Sequence, residues 1–326
     1  MKIKKEYIIL ALVIIALTVY LVTRTSDHTR YQLPDVPQVA SKEISKLQIT
    51  KDQVTIVVNK KDGKWYIAPQ EFPADTSKVK DMLNAIENLT LTALVSESGN
   101  YNLYNLNADK KINVKAWQAD KLRRDVDLGK TASSFRHTFV KPAGDKRIFH
   151  ARGNFRNNFD LTVDDLRDKR VLALTPADIQ QFQVIKDQQS LTLNKIQAPV
   201  TVEGAQAQKQ TEAAPTEANK PVWQAADGRP VDEAVVKEIL NVVSNLRCEK
   251  FISDRRKDDF TSPLFTLRLK SGQEYSLSIF AKTAEKDTDF PAVSSGSNYP
   301  FLLSGSQVDR IMQDPLKAPF GTNNVE

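Results

Sequence analysis

The stretch ISKLQITKDQVTIVVNK, residues 44–60, is matched without gaps by IQQFQVIKDQQSLTLNK, residues 179–195. Both stretches place alternating apolar residues on either side of the same Lys-Asp-Gln triplet, a pattern typical of a β-hairpin. The second copy begins 135 residues after the first (179 − 44). Repetition at such a distance indicates that one folding unit has been duplicated along the chain.

A second repeated pair follows the hairpins. PADTSKVKDMLNAIENLTLTALVSE, residues 73–97, aligns without gaps with PVDEAVVKEILNVVSNLRCEKFISD, residues 230–254. Each copy begins with an aspartate suited to a helix N-cap, Asp75 or Asp232, and continues with apolar residues at helical spacing. The pattern therefore predicts a helix followed by a strand in both copies.

The second copy carries an insertion, because the offset grows from 135 to 157 residues (230 − 73). The excess falls on residues 198–221, which are rich in Ala, Gln, Glu and Thr and lack an apolar period, a composition typical of disorder. The predicted domains are therefore a first repeat at 44–178, a second repeat at 179–318 with this disordered insertion, and a C-terminal tail at 319–326.

Short alternating patterns predict further strands in each copy. The predicted strands are Ile112–Trp117, Leu122–Leu128, Arg136–Val140, Arg147–His150, Leu264–Lys270, Glu274–Phe280, Pro291–Val293 and Pro300–Leu303, and a closing helix is predicted from Gly305 or Ser306 to Met312. Trp65 and Trp223 occupy equivalent places at the start of a strand. We favour a packing role for these two side chains over stacking on a ligand. Each copy is predicted to be a helix on a largely antiparallel sheet, an α+β fold.

The N-terminus predicts a membrane anchor. Residues 7–22 form an uncharged apolar run of about 16 residues, near the short end of the roughly 17–25 that span a bilayer. Lysines precede the run, which favours a cytoplasmic N-terminus, and no small-residue pattern for cleavage follows it. We therefore predict a cytoplasmic tail at 1–6, a transmembrane anchor at 7–23 that contacts the lipid bilayer, and a tether at 24–43. The predicted fold class is an N-terminal transmembrane helix followed by two tandem α+β repeats.

This reading predicts a single-pass protein of the bacterial inner (cytoplasmic) membrane with periplasmic repeats. The formal net charge is +6, but basic and acidic residues are mixed along the chain, which argues against nucleic-acid binding. The single cysteine, Cys248, excludes an internal disulfide and a Cys-rich zinc site.

No residue pattern in the sequence indicates a catalytic, nucleotide-binding or metal-binding site. Gly129-Lys130-Thr131 resembles the end of a phosphate-binding loop, but Arg124 stands where that motif needs a glycine. His28 falls in the tether, while His137 and His150 fall on neighbouring predicted strands and have no third ligand at a recognisable spacing.

The remaining polar clusters are interpreted as structural. Cys248 aligns with an apolar residue of the first copy, so we expect a buried, inert thiol. The acidic pairs Asp164-Asp165 and Asp258-Asp259 and the charged loop at 254–259 are expected to be solvated, and the charges in LRDKRVLAL, residues 166–174, to orient the crossing between copies. We therefore predict no catalytic, cofactor-binding or metal-binding residue, no cofactor and no enzymatic activity.

The order of several motifs over residues 44–190 resembles the bacterial family called domain of unknown function 4340. The motifs are DGKWYIAP (62–69), PADTSKVKDMLNAIENL (73–89), the Tyr104-Asn105-Leu106 step, DLGK (127–130) and LRDKRVLAL (166–174). The family usually shows glycine where this chain has Asn105. Its members resemble this chain in having an N-terminal anchor and repeated copies, and some are similar to auxiliary components of gliding-motility-type ABC transporters.

The resemblance implies a class of partner, namely a membrane protein complex such as an ABC transporter permease. The predicted function is a non-enzymatic auxiliary or scaffold component of an ABC-type transport or envelope-assembly system. The alternative is a periplasmic ligand- or cell-wall-binding module with a cleft between the two repeats.

Overall fold

The computed structural model describes residues 5–24, 31–197 and 221–316. The chain divides into two compact units, Met1–Arg167 (unit 1) and Asp168–Glu326 (unit 2). Three predicted segments lie wholly or mostly outside the described residues: the cytoplasmic tail at 1–6, the disordered insertion at 198–221 and the C-terminal tail at 319–326.

The first helix, α1, runs over Lys5–Arg24 and exposes apolar side chains between Ile9 and Leu21. No helix among the described residues is long and apolar enough to cross a membrane. The predicted transmembrane anchor at 7–23 is therefore wrong, and so are the fold class that includes it and the single-pass inner-membrane location. The apolar run of about 16 residues covers about 24 Å of helix axis, less than the roughly 30 Å of a bilayer core.

Unit 1 is built on one antiparallel sheet. Its helices besides α1 are α2 (Thr76–Glu87) and α3 (Val163–Leu166), and its strands are β1 (Lys46–Lys51), β2 (Val54–Lys61), β3 (Lys64–Ala68), β4 (Phe72–Pro73), β5 (Leu91–Ser96), β6 (Ile112–Gln118), β7 (Lys121–Thr131), β8 (His137–Pro142) and β9 (Ile148–Arg152). The strand order is β4-β3-β2-β1-β6-β7-β8-β9-β5. The strand that follows α2 therefore ends up at the far edge of the sheet.

One face of this sheet packs against α2. The helix buries Val79, Met82 and Ile86 in the same apolar cluster as Leu47 on β1 and Val114 on β6. Alternate residues of the strands face this core because successive side chains of a strand point to opposite sides. The opposite face of the sheet carries polar side chains, histidines and aromatic rings, described below.

Unit 2 has the same kind of architecture. Its helices are α4 (Glu233–Ser244) and α5 (Gly305–Ile311), and its strands are β10 (Arg170–Ala173), β11 (Gln181–Lys186), β12 (Gln189–Gln197), β13 (Pro221–Ala225), β14 (Asn245–Arg247), β15 (Lys250–Phe251), β16 (Phe265–Lys270), β17 (Glu274–Ile279), β18 (Asp289–Ser294) and β19 (Phe301–Ser304). Its larger sheet has the order β13-β12-β11-β16-β17-β18-β19-β15. The eight strands of the unit 1 sheet from β3 to its edge at β5 follow one another in the same order as the eight equivalent strands of this sheet, from β13 to β15.

The division between the units lies earlier than the predicted boundary at 178/179. Strand β10 pairs with β14 and contributes Val171 and Leu172 to the core of unit 2, so residues 168–178 belong to that unit. The sequence-based prediction includes LRDKRVLAL, residues 166–174, in the first repeat at 44–178. Pairing between β10 and β14 joins distant parts of the sequence, and no local pattern reveals it.

The two repeated hairpins are confirmed. In β1–β2, Lys51 pairs with Val54 across the turn residues Asp52 and Gln53, which have φ of 44° and 66°. The equivalent turn joins β11 to β12 and also has two residues with positive φ. Positive φ at both central residues is the requirement of a type I′ turn.

The two predicted helix caps are also confirmed. The Asp75 carboxylate accepts hydrogen bonds from the backbone N–H groups of Ser77 and Lys78 at the start of α2. Asp232 accepts from the equivalent N–H groups of Ala234 and Val235 in α4. A carboxylate at this position satisfies backbone donors that have no partner inside the helix.

Candidate functional site

Strand β5, with the sequence LTALVS, is the last strand of the unit 1 sheet. It pairs through one edge with β9, and no strand of the described residues pairs with its other edge. Proteins usually protect such an edge with charged side chains, proline or a very short strand. β5 contains no charged residue and no proline, so its free edge is a candidate surface for strand addition.

The backbone of β5 is irregular, which affects what it can bind. Its pairing with β9 shifts between Leu91 and Ala93 and again between Leu94 and Ser96. Thr92 and Val95 therefore have no direct partner on β9, although the Thr92 hydroxyl donates to the His150 carbonyl oxygen. Irregularities of this kind bend a strand, so the edge suits one shaped partner segment better than a flat stack of copies.

The equivalent edge of unit 2 is different. Strand β15 is only two residues long, Lys250–Phe251, and pairs with β19. Charged side chains at Arg247, Glu249 and Lys250 surround it along the chain. A short, charged edge strand is protected against pairing, so the two units differ at this position.

The outer face of β8 and β9, next to β5, carries a histidine and aromatic cluster. The rings of His137 and His150 stack with centroids 5.1 Å apart, and the Phe139 ring lies 4.8 Å from His150 and 4.8 Å from Tyr104. Burial lowers the pKa of His150, and the nearby His137 lowers it further. Within the described residues, no three His, Cys, Asp or Glu side chains form a group suited to a metal ion.

This histidine predicts a pH dependence of stability. Because the pKa of His150 in the folded protein lies below its ordinary value of 6.5, the unfolded chain takes up the proton first as the pH falls. The free energy of unfolding therefore decreases as the pH falls below about 6.5, because protonation of His150 is easier in the unfolded chain than in the folded protein. We expect His150→Gln to flatten the fall in melting temperature between about pH 7.5 and 5, measured by thermal unfolding.

The matched variant is His137→Gln, which removes only the neighbouring ring that disfavours protonation. It should reduce the slope less than His150→Gln, since burial is the larger cause of the shift. Parallel curves for the unmodified protein and His150→Gln would contradict the prediction.

The DLGK motif packs closely against a neighbouring segment of unit 1. Residues 101–106, which we call the cover segment, cross β7 at Gly129, where an added Cβ atom would overlap the Tyr104 carbonyl oxygen. Asn105 has φ 54° and ψ 41°, a left-handed conformation that asparagine tolerates better than most residues. Asn105 can therefore form this turn, although the family that the chain resembles usually has glycine at this position.

Two charged groups stabilise the region around the cover segment. Arg156 Nη1 donates to the carbonyl oxygens of Leu128 and Gly129, both at 2.9 Å. Asp127 is buried and accepts from three side chains, Asn113 Nδ2 at 2.9 Å and the Nζ atoms of Lys111 and Lys141 at 3.0 Å. Burial opposes ionisation of Asp127, but these hydrogen bonds outweigh it and lower its pKa.

The other polar residues considered from the sequence lie in structural positions. Cys248 is buried in the core of unit 2, and Asp165 forms a capping box with Thr162 at the start of α3. Arg170 Nη2 donates to Asp168 Oδ2 at 2.7 Å. His28 lies outside the described residues.

The charged loop at 254–259 is tied to the body of unit 2. Lys257 Nζ donates to the carbonyl oxygens of Ser294 at 2.6 Å and Ser297 at 2.9 Å, and the Arg255 guanidinium lies 4.0 Å from the Phe260 ring centre. Trp65 belongs to the core of unit 1, and Trp223 packs beside Phe182 in unit 2 with ring centres 6.2 Å apart. These contacts support packing roles for both tryptophans.

Comparison with known proteins gives one match. The family model described as domain of unknown function (DUF4340) matches residues 65–264, more than half of the chain. No curated protein and no solved structure matches.

Proposed function

The chain belongs to the DUF4340 family, and from that premise we propose that it is a non-catalytic auxiliary or scaffold component of an ABC-type transport or envelope-assembly system. The observation that supports this proposal is the uncharged free edge of β5. The alternative from the sequence, a ligand- or cell-wall-binding module with a cleft between the repeats, stays a prediction.

Strand addition suits a scaffold component. An extended segment of a partner can pair with an exposed strand through backbone hydrogen bonds, and the side chains that flank the strand add selectivity. β5 offers six residues for such pairing, whereas β15 offers two. We therefore assign partner binding to unit 1 and expect the partner to supply an extended, largely uncharged segment.

The resemblance to auxiliary components of gliding-motility-type ABC transporters supports the class of partner. On this proposal, the partner is a transporter subunit such as the permease. The structural prediction is that contact occurs along β5, and this can be tested in cells that make the intact chain.

The test places a photo-crosslinking amino acid at Thr92 of the full chain. We expect a crosslinked product with a subunit of an ABC transporter, identified by mass spectrometry. Val95→Lys adds a charge to the edge and should reduce the product at least about tenfold, because lysine on an edge strand opposes pairing.

The matched control is Val54→Lys, which adds the same charge to β2 of the same sheet at a side chain that is 64% exposed. This variant should leave the product unchanged. Three outcomes would overturn the proposal: no product, a product only between two copies of this chain, or equal loss of product in both lysine variants.

A further inference from the structure

Arg124 is a buried arginine on the core side of β7. The residue is only 6% exposed and faces the same side of the sheet as Val126 and Leu128, which belong to the apolar core. Its guanidinium reaches the end of α2, where Nη2 donates to the Ile86 carbonyl oxygen at 3.4 Å. A cation is favoured there because the C-terminus of a helix carries partial negative charge.

Most of the hydrogen-bonding capacity of Arg124 is unused. Nη2 also donates to the Pro37 carbonyl oxygen at 2.9 Å, so both of its N–H groups have partners. Nε is enclosed and has no partner, and no hydrogen bond from Nη1 to any described residue is found. An arginine has five N–H donors, and the two on Nη1 are therefore available to a ligand, whereas the N–H of Nε has no partner but is enclosed.

No carboxylate within the described residues forms an ion pair with Arg124, although other arginines of unit 1, such as Arg147 and Arg156, have acidic partners. Burial lowers the pKa of Arg124, but a guanidinium remains charged at every physiological pH. Buried charges in proteins are usually paired. An unpaired buried guanidinium therefore indicates a place for an anion.

A cavity lies beside this side chain. Its volume is about 450 Å³, and its lining includes Arg124 and the apolar side chains of Leu33, Val36, Leu89 and Leu91. A smaller cavity of about 150 Å³ shares Arg124 and three of these apolar residues with it. Small-molecule pockets usually have volumes of about 300–1,000 Å³, mostly apolar walls and a few polar groups.

The charged groups that line the cavity restrict the charge of the ligand that can bind there. The exposed carboxylates of Asp35 and Glu87 also line it and would repel a multiply charged anion such as a phosphate monoester. A single carboxylate matches the one buried cation, and the apolar part of the wall, formed by Leu33, Val36, Leu89 and Leu91, matches an aliphatic chain.

We propose that the cavity at Arg124 binds a small monocarboxylic acid with an aliphatic body. The carboxylate takes free N–H donors of Arg124, and the chain packs against Leu33, Val36, Leu89 and Leu91. This site is separate from the β5 edge and goes beyond the proposed scaffold function.

The probes are octanoate and its uncharged analogue 1-octanol, titrated into the intact chain by calorimetry. Octanoate should bind saturably and at least about tenfold more tightly than octanol. Arg124→Gln should weaken octanoate at least about tenfold, and Arg124→Lys should weaken it less because the charge remains.

Arg124→Gln also removes a contact at the end of α2 and could prevent folding. Leu33→Asp avoids this difficulty, since Leu33 is 38% exposed and lines the cavity outside the buried core. It should weaken octanoate at least about tenfold. The matched control is Leu122→Asp on β7, which is 44% exposed, does not line either cavity and should not change binding.

The exposed apolar side chains of α1 are another place where octanoate can bind. All four variants leave α1 unchanged, so only differences between variants count. The proposal is overturned if octanol binds as tightly as octanoate, if neither Leu33→Asp nor a folded Arg124→Gln weakens octanoate, or if Leu122→Asp weakens it equally.

Discussion

Replacement of Gly129 by alanine is expected to lower the free energy of unfolding of unit 1 by about 3 kcal/mol, the upper end of the usual cost of overpacking. A Cβ atom at this position would overlap the Tyr104 carbonyl oxygen and lie 3.0 Å from Leu106 Cγ and 3.2 Å from the Phe139 carbonyl oxygen. Two of these neighbours are backbone atoms, so the cover segment must move to admit a methyl group. Denaturant unfolding of the full chain measures the loss.

Gly272 provides the matched control for this substitution. It lies in the turn between β16 and β17, and a Cβ atom there would meet no atom within 4 Å. Gly272→Ala should therefore change the free energy of unfolding by no more than about 0.5 kcal/mol. Equal losses in the two variants would contradict the role assigned to close packing at Gly129.

Replacement of Phe149 by alanine is expected to cost about 3–5 kcal/mol, the usual range for removing a buried phenylalanine ring. Phe149 lies on β9, is 0% exposed and belongs to the core shared by α2 and the sheet. The loss has two parts, since burial of the ring in the apolar core is lost and the vacated volume is only partly refilled. Thermal and denaturant unfolding should both report it.

Phe135→Ala is the control for Phe149→Ala, because it removes the same ring from a residue that is 74% exposed. We expect a change of no more than about 0.5 kcal/mol. If both alanine variants lost similar stability, the core containing Phe149 would not be the main source of stability in unit 1.

Patterns that act over short distances were predictable from the sequence. Alternation of apolar residues gave β6, β7, β16 and β17 to within a few residues, and helical spacing after Asp75 and Asp232 gave α2 and α4. These predictions succeed because hydrophobic periodicity and capping are properties of neighbouring residues.

Long-range pairing was not predictable in the same way. The association of β10 with β14 moved the division between the units to Arg167 and Asp168, and the position of β5 at the sheet edge depends on its pairing with β9. The anchor prediction failed because a short apolar run was interpreted as a membrane span.

The proposed sites were only partly visible in the sequence. The sequence predicts that a sheet-rich chain has exposed sheet edges. It does not show which edge strand lacks protection, because that depends on the order of the strands in the sheet. Arg124 was noticed only as a residue that breaks a phosphate-loop motif. The available signal was the position of Arg124 in the alternating strand Lys121–Thr131, since the residues at the same spacing, Val126 and Leu128, are apolar.

The Asp-Gln turns of the two hairpins bear on the order in which the chain folds. Asp52 and Gln53, like Asp187 and Gln188, adopt left-handed backbone conformations without the Asn-Gly sequence that favours them. Each such residue costs roughly 1–2 kcal/mol unless its surroundings compensate. We therefore expect neither hairpin to form stably on its own. We also expect each turn to close only after the helix and strands of its unit have packed together.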